Sequence, residues 1–412
     1  MQRRTDVNLG VGSMSVPTDR THGRDRSDGA SAPARGSGGS QPRSARLDQI
    51  AAADPASADL IRRLLGIAVR NLPQSISAGQ FAFRLDGRRQ SDGTWLLTPA
   101  GTSPRYAAIA ALGLLRLPEP GQRSVLGESC SDLVGRLTAR LEEVSGLGDL
   151  AMLTWAAAEC GHDVLPQALA RLGQLDDPQR PAAVVDAAWV VSALVAARGS
   201  ADVEQHLERA RSRLLAARDV LYPHVTGDGQ PWFRSHVGSF ADQVYPLQAL
   251  ARLHHSADDP QALAAAAAVA AAVCAAQGEA GQWWWHYDSR SGAVVEGYPV
   301  YSVHQHAMAP MALLDLGEAG GDAHLESIAR GLRWLASPPE TAEALILDEP
   351  ATTWRKVARP DHRKAVRGLR AASTRIHPGW RLPVLDKVFP AGVVDYECRP
   401  YELGWLLMTW LS

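Results

Sequence analysis

The sequence predicts an all-α protein, an (α/α)6 toroid in which six helical hairpins close into a ring behind a disordered N-terminal tail. Two observations carry this, and a third removes the main competitor. Apolar residues recur three and four apart through twelve segments, the spacing of helices that bury one face. Three of those segments share a template: Ser103, Ser239 and Ser302 stand at N-caps, with Leu114, Leu250 and Leu313 eleven residues on and Leu117, Leu253 and Leu316 fourteen on. Strand patterns with strict alternation are short and scattered, which leaves no extended sheet.

Taken in order, residues 1–46 are rich in Gly, Ser, Arg, Asp and Pro and nearly free of aromatics, so they bury too little surface to offset ordering entropy. A disordered leader is expected there, followed by one toroid domain over 47–412. Helices are expected over 54–71, 104–117, 127–144, 148–160, 163–173, 183–198, 201–219, 239–255, 259–277, 302–316, 321–336 and 400–411. Gly-and-Trp loops precede the three templated helices: Asp92-Gly93-Thr94-Trp95, Asp228-Gly229-Gln230-Pro231-Trp232 and Gly281-Gln282-Trp283. Repeated hairpins of this length stack as a solenoid or close into a toroid, and twelve helices in pairs favour closure into six.

Composition narrows the function classes. The 42 basic residues nearly balance 44 acidic ones, so no overall charge draws the chain to nucleic acid. Cys130, Cys160, Cys274 and Cys398 lie far apart without zinc-finger or CxxC spacing, which fits a reducing cytoplasm and argues against structural zinc. The longest Ala-rich run, Ala264 to Ala272, is too short to span a bilayer, and no secretory signal opens the chain. Phosphate loops of the Walker and dinucleotide types and the Gly-x-Ser-x-Gly elbow are all missing. No cofactor is expected, the expected partner is a small-molecule or glycan substrate, and the oligomeric state stays open.

The segment Gly281 to Met311 concentrates chemistry. It holds Trp283, Trp284 and Trp285, then His286, Tyr298, Tyr301, His304 and His306, directly ahead of an apolar helix. Aromatic faces beside polar groups are what a sugar pocket requires, because rings stack while polar groups fix orientation. His304 and His306 point about 200° apart on a helix, so they do not share a metal, and no metal site is expected. His304 is the leading acid/base candidate, with Tyr298 or Tyr301 as its partner. Asp242, Asp395 and Glu397 are the carboxylates that could act instead, as a pair for glycoside hydrolysis. Arg399 beside Glu397 forms a structural ion pair or holds a substrate anion through its guanidinium fork. The basic run Trp354-Arg355-Lys356 with Arg359, His362, Arg363 and Lys364 is read as a solvated face, with an anionic ligand as the other reading.

Gly-x-Trp loops followed by a small polar cap and an Ala/Leu helix resemble the α/α-toroid proteins, which include the six-hairpin glycosidase-like enzymes and the terpenoid-cyclase and prenyltransferase toroids. The stretches Tyr298 to Gln305 and Asp395 to Trp405 are similar to bacterial proteins associated with exopolysaccharide biosynthesis. The resemblance covers about residues 50–412 and implies a central funnel, with Trp95, Trp232, Trp283 to Trp285, His286, His304, Tyr298, Glu397 and Arg399 meeting at one mouth. A cyclase would call for Asp-x-Asp-Asp or DDxxD motifs, and Asp176-Asp177 and Asp258-Asp259 each run into Pro-Gln instead. The expectation is therefore a protein acting on a polysaccharide or glycan intermediate. Lyase or epimerase chemistry is slightly favoured over hydrolysis because His and Tyr stand beside Arg. A terpenoid-cyclase-like enzyme and a non-catalytic glycan-binding scaffold are the alternatives.

Overall fold

A computed structural model describes residues 44–360 and 365–412. The expected leader falls outside the described residues up to position 43, as do His362, Arg363 and Lys364. Sixteen α-helices follow one another among the described residues: α1 (Ala45–Ala53), α2 (Pro55–Asn71), α3 (Pro104–Leu114), α4 (Glu119–Leu126), α5 (Cys130–Thr138), α6 (Leu147–Glu159), α7 (Leu165–Leu175) and α8 (Val184–Ala197) in the first half. The second half adds α9 (Glu204–Ala216), α10 (Ala241–Ala257), α11 (Pro260–Ala275), α12 (Ala309–Glu318), α13 (Leu325–Ala336), α14 (Ala365–Ile376), α15 (Val384–Val388) and α16 (Pro400–Trp410). Among the described residues no helix is long and apolar enough to cross a membrane.

Burial sorts the helices into two rings. α3, α6, α8, α10, α12 and α16 are buried on nearly every side and pack in that cyclic order, α16 closing on α3. α2, α5, α7, α9, α11 and α13 bury one face each against them. This is the (α/α)6 toroid, and the six inner and six outer helices are the twelve read from periodicity. Closure requires glycine. Gly113 of α3 faces Gly404 of α16, where a Cβ on Gly404 would sit 2.5 Å from the Ile109 carbonyl oxygen, and a Cβ on Gly113 would collide with the Gly404 carbonyl.

Outer and inner helices alternate along the chain, so the inner six run parallel. The connections into their N-termini are long and carry every strand, for example the hairpin Arg84–Arg89 with Trp95–Ala100, which pairs with Glu397–Cys398. The sheets have two or three short strands each. Connections at the opposite end are mostly brief, as between α10 and α11.

Local chemistry explains where the template held and where it did not. Ser103 caps α3 by accepting from the Tyr106 amide at 3.2 Å, and the Ser239 hydroxyl accepts from the Asp242 amide at 3.3 Å. Ser302 does not cap; its hydroxyl donates to the Trp354 carbonyl at 2.6 Å. A π-turn, His304–Met308, opens this inner helix, since Ala309 N–H reaches back to the His304 carbonyl. Pro310 has no N–H for the His306 carbonyl, and the Trp410 indole donates to it instead at 2.7 Å.

Candidate functional site

Because the inner helices are parallel, their first turns meet at one mouth. Their first turns carry Tyr106 and Arg105 from α3, Asp149 from α6, Asp186 from α8, Asp242 from α10, His304 ahead of α12, and Tyr401 with Glu402 from α16. Between them lies a cavity of about 180 Å³ lined by Tyr106, Trp189, Tyr245, Trp285, Tyr301 and His304, with Arg105, Arg355 and Tyr401 in its wall.

Two aromatic walls define the cavity. On one side Trp189 meets Tyr245 edge-on at 5.1 Å and carries the Arg105 guanidinium 5.1 Å above its ring. On the other, Trp285 packs against Tyr301 at 4.8 Å and lies parallel to His304, while Arg355 sits 4.5 Å over Tyr301. Tyr106 and Tyr401 pack together at 4.6 Å. The indole N–H of Trp189, the indole N–H of Trp285 and Nδ1 of His304 are buried and have no partner among the described residues. Three unpaired hydrogen-bonding atoms in one small cavity are uncommon in a folded protein.

The charges are arranged in layers. Arg105 Nε donates to Asp149 at 2.5 Å. Asp186 has its carboxyl raised above the ordinary carboxylate range, first by burial and then by the neighbouring Asp149 and Asp242, against a lowering pull from Arg105. Arg355 Nε donates to Glu402 at 3.1 Å, and burial lifts the Glu402 carboxyl above its ordinary range in spite of that partner. Burial, followed by the positive charge of Arg355, lowers His304 to about 3, so its ring is neutral at pH 7.

The residues read from sequence distribute as follows. Trp285, Tyr301 and His304 line the cavity. Arg399 reaches its edge, donating to the Tyr106 hydroxyl at 3.0 Å while pairing with Glu397, which also lies 3.7 Å from Arg355. His286 is buried behind Trp285 at 5.0 Å. The Asp242 carboxylate is engaged by the Ser239 amide at 2.6 Å and by His224 Nδ1 at 2.6 Å. Asp395 pairs with Lys356 at 2.9 Å. Tyr298 donates to Glu340 at 2.9 Å, outside the cavity, and Trp284 meets its ring at 5.8 Å over a separate recess. Trp283 is wholly buried against Phe240, 5.6 Å away, so it does not share a cavity with Trp285. Trp95 packs on Trp354 at 4.8 Å, His306 lies inside the core, and Trp232 is 67 % exposed. No group of three His, Cys, Asp or Glu side chains suited to a metal occurs among the described residues.

Sequence reasoning missed Arg105, Asp149, Asp186, Trp189, Tyr245, Arg355 and Glu402. A signal existed: in Leu147-Gly-Asp-Leu-Ala-Met and Val184-Val-Asp-Ala-Ala-Trp a carboxylate stands in the first turn of a helix that is otherwise almost wholly uncharged, Glu159 at the end of the first being the exception. Such a helix is buried, and a charge in its first turn has to face an opening or a partner.

No protein-family model and no curated protein sequence matches the chain. Solved structures do match it in shape. An unsaturated glucuronyl hydrolase specific for heparin superposes with a TM-score of 0.53 at 13% identity, covering 85% of this chain and 96% of its own. An unsaturated glucuronyl hydrolase from Bacillus sp. GL1, responsible for glycosaminoglycan degradation, gives 0.53 at 13% over 85% and 95%. A possible member of the GH105 family from Klebsiella pneumoniae gives 0.50 at 13% over 85% and 92%. At these identities the likeness establishes the fold alone, an (α/α)6 toroid.

Proposed function

We propose that this chain is a glycoside hydrolase acting on the anionic end of a glycan bound in the central cavity. The observation that carries the reading is the cavity wall itself, where the aromatic faces of Trp189, Tyr245, Trp285 and Tyr301 stand beside two guanidinium groups. A sugar ring stacks on the first and presents a carboxylate or sulfate to the second. About 180 Å³ is small, which suits a single terminal ring rather than the middle of a polymer.

In this reading Asp186 is the general acid. Its raised carboxyl keeps a proton available for the departing glycosidic oxygen, and the ion-paired Asp149 is its carboxylate partner. His304 becomes a neutral wall and hydrogen-bonding group. A base lowered to about 3 is too weak to remove a sugar α-proton, which turns the balance from lyase or epimerase chemistry to hydrolysis. Two arginines in the wall also repel a carbocation, which disfavours terpenoid cyclisation. The named activities of the two glucuronyl hydrolases support an anionic sugar. A place in exopolysaccharide metabolism belongs to the same proposal and rests on the resemblance at Tyr298 to Gln305.

The test is incubation with matched oligosaccharides ending in an anionic or a neutral sugar, with products resolved by mass spectrometry. Hydrolysis adds one water to the anionic series only. An unsaturated product without added water would make the protein a lyase, and saturable binding without product would make it a glycan-binding protein.

A further inference from the structure

One surface of the domain lies outside the cavity and its chemistry. α14, α15 and the turn between them present large apolar side chains to solvent: Ile376 is 74 % exposed, Val388 62 %, Val384 61 % and Trp380 50 %. Their outward direction is fixed from beneath. Asp386 of α15 is held by Arg370 of α14 at 2.7 Å, and Arg370 is held by the buried Glu296 at 2.9 Å, so the ion-pair side of α15 faces the domain. Val384 and Val388 stand two residues either side of Asp386 and so point the other way. On α14, Leu369 and Ile376 are seven apart on the exposed side, while Arg370, Ser373 and Thr374 are buried. Ser373 donates to the Trp380 carbonyl at 2.6 Å and His236 meets Thr374 at 3.0 Å, which ties the turn and the Trp232 loop to the same face.

The charge on this face is one-sided. Between residues 365 and 388 there are five Lys and Arg against one Asp, in a chain whose formal net charge is −2. Asp386 is taken by Arg370 and Arg359. Arg367, Arg375, Arg381 and Lys387 form no ion pair among the described residues, and Arg367 lies near enough to Arg234 to depress its pKa further, after burial. Exposed aliphatic and indole side chains among unpaired cations match the two parts of an anionic bilayer surface, the acyl boundary and the headgroup layer. A soluble anionic polysaccharide would satisfy the cations and leave Ile376, Val384 and Val388 in water.

We propose that α14, α15 and the turn joining them form a docking surface for an anionic lipid membrane. The full chain should co-sediment with vesicles of phosphatidylglycerol and phosphatidylcholine, not with phosphatidylcholine alone, and should be released at about 1 M salt. Replacing Arg381 and Lys387 together by Gln should weaken partitioning roughly thirtyfold, from the usual contribution of each basic residue near a charged surface. The double change Val384→Ser and Val388→Ser should weaken it by about tenfold or more through lost apolar burial, with an unchanged melting temperature because both side chains are exposed. Three results would overturn the proposal. They are no sedimentation with the anionic vesicles, binding to heparin that the serine changes leave untouched, or a serine double variant that lowers the molecular mass in solution and so marks a self-association face.

Discussion

Asp186→Asn separates the proposed acid from a structural carboxylate. The substitution is isosteric, and its amide oxygen can still accept from the Gly148 N–H that Asp186 uses. Loss of a general acid lowers turnover by about a hundredfold to ten-thousandfold. Stability gives the second readout, with a definite sign. Burial raises the folded-state pKa of Asp186, so folding favours its protonated form. The stability this group contributes is therefore present in full below the unfolded carboxyl pKa and is lost as pH rises through the folded one. Above its folded-state pKa the wild-type protein holds a desolvated charge that Asn does not, and there the variant melts at the same or a higher temperature. That gap closes as pH falls below about 4, near the reference value for an aspartate. Melting curves at several pH values, together with single-turnover rates on an anionic oligosaccharide, measure both. Wild-type activity should decline on the basic side as Asp186 loses its proton. Full turnover in the variant, or a lower melting temperature above the folded-state pKa, would show that the Asp186 charge is structural and that the acid lies elsewhere.

His304→Ala should leave turnover within about tenfold of wild type, since a neutral wall residue contributes less than a general acid; a larger loss with binding and melting intact would restore it as the acid/base group. Trp285→Ala should raise the dissociation constant of the glycan about tenfold, from the loss of one stacking face, read by isothermal titration. Arg355→Gln leaves the buried Glu402 without its partner 3.1 Å away, and should cost about 3–5 kcal/mol in urea unfolding, partly restored by adding Glu402→Gln. Gly404→Ala should cost about 1–3 kcal/mol or more, because the added methyl meets the backbone of α3 and no side chain there can move aside.

Which features were legible depends on the distance over which their causes act. The twelve toroid helices were legible because the inner ones are apolar throughout and the outer ones carry a 3.6-residue stripe, both local properties of the chain. α14 and α15 were not, since α14 is held by ion pairs to Glu296 of a distant strand and α15 is a five-residue helix with no buried face. The position of Trp285 and His304 beside the cavity was legible because an aromatic cluster directly precedes an inner helix. Trp283 was misplaced for the same reason, as neighbouring side chains in an extended segment point to opposite sides and sequence does not say which faces the cavity. Asp186 stayed hidden because its raised pKa comes first from burial and then from Asp149 and Asp242, against the pull of Arg105, and all of these are set by the packing of other helices.

The toroid itself biases what this mouth can hold. Six parallel inner helices aim their N-termini at one cavity, and each brings about half a positive charge in unsatisfied amides. Arg105 and Arg355 add two full charges in the same wall. Asp149 and Glu402 lie in first turns and are paired with those arginines, while Asp242 is held by an amide, a hydroxyl and an imidazole. Asp186 forms no ion pair among the described residues, and burial outweighs the attraction of Arg105, so its carboxyl, like that of the buried Glu402, is raised toward holding a proton. In the proposed function, an aromatic-walled recess with two guanidinium groups in its wall selects in charge as well as in shape. In the proposed reaction an anionic ring is held there while Asp186 protonates the leaving oxygen and Asp149 activates the water that attacks the anomeric carbon, so the charge of the terminal sugar, more than its stereochemistry, should decide whether a glycan is turned over.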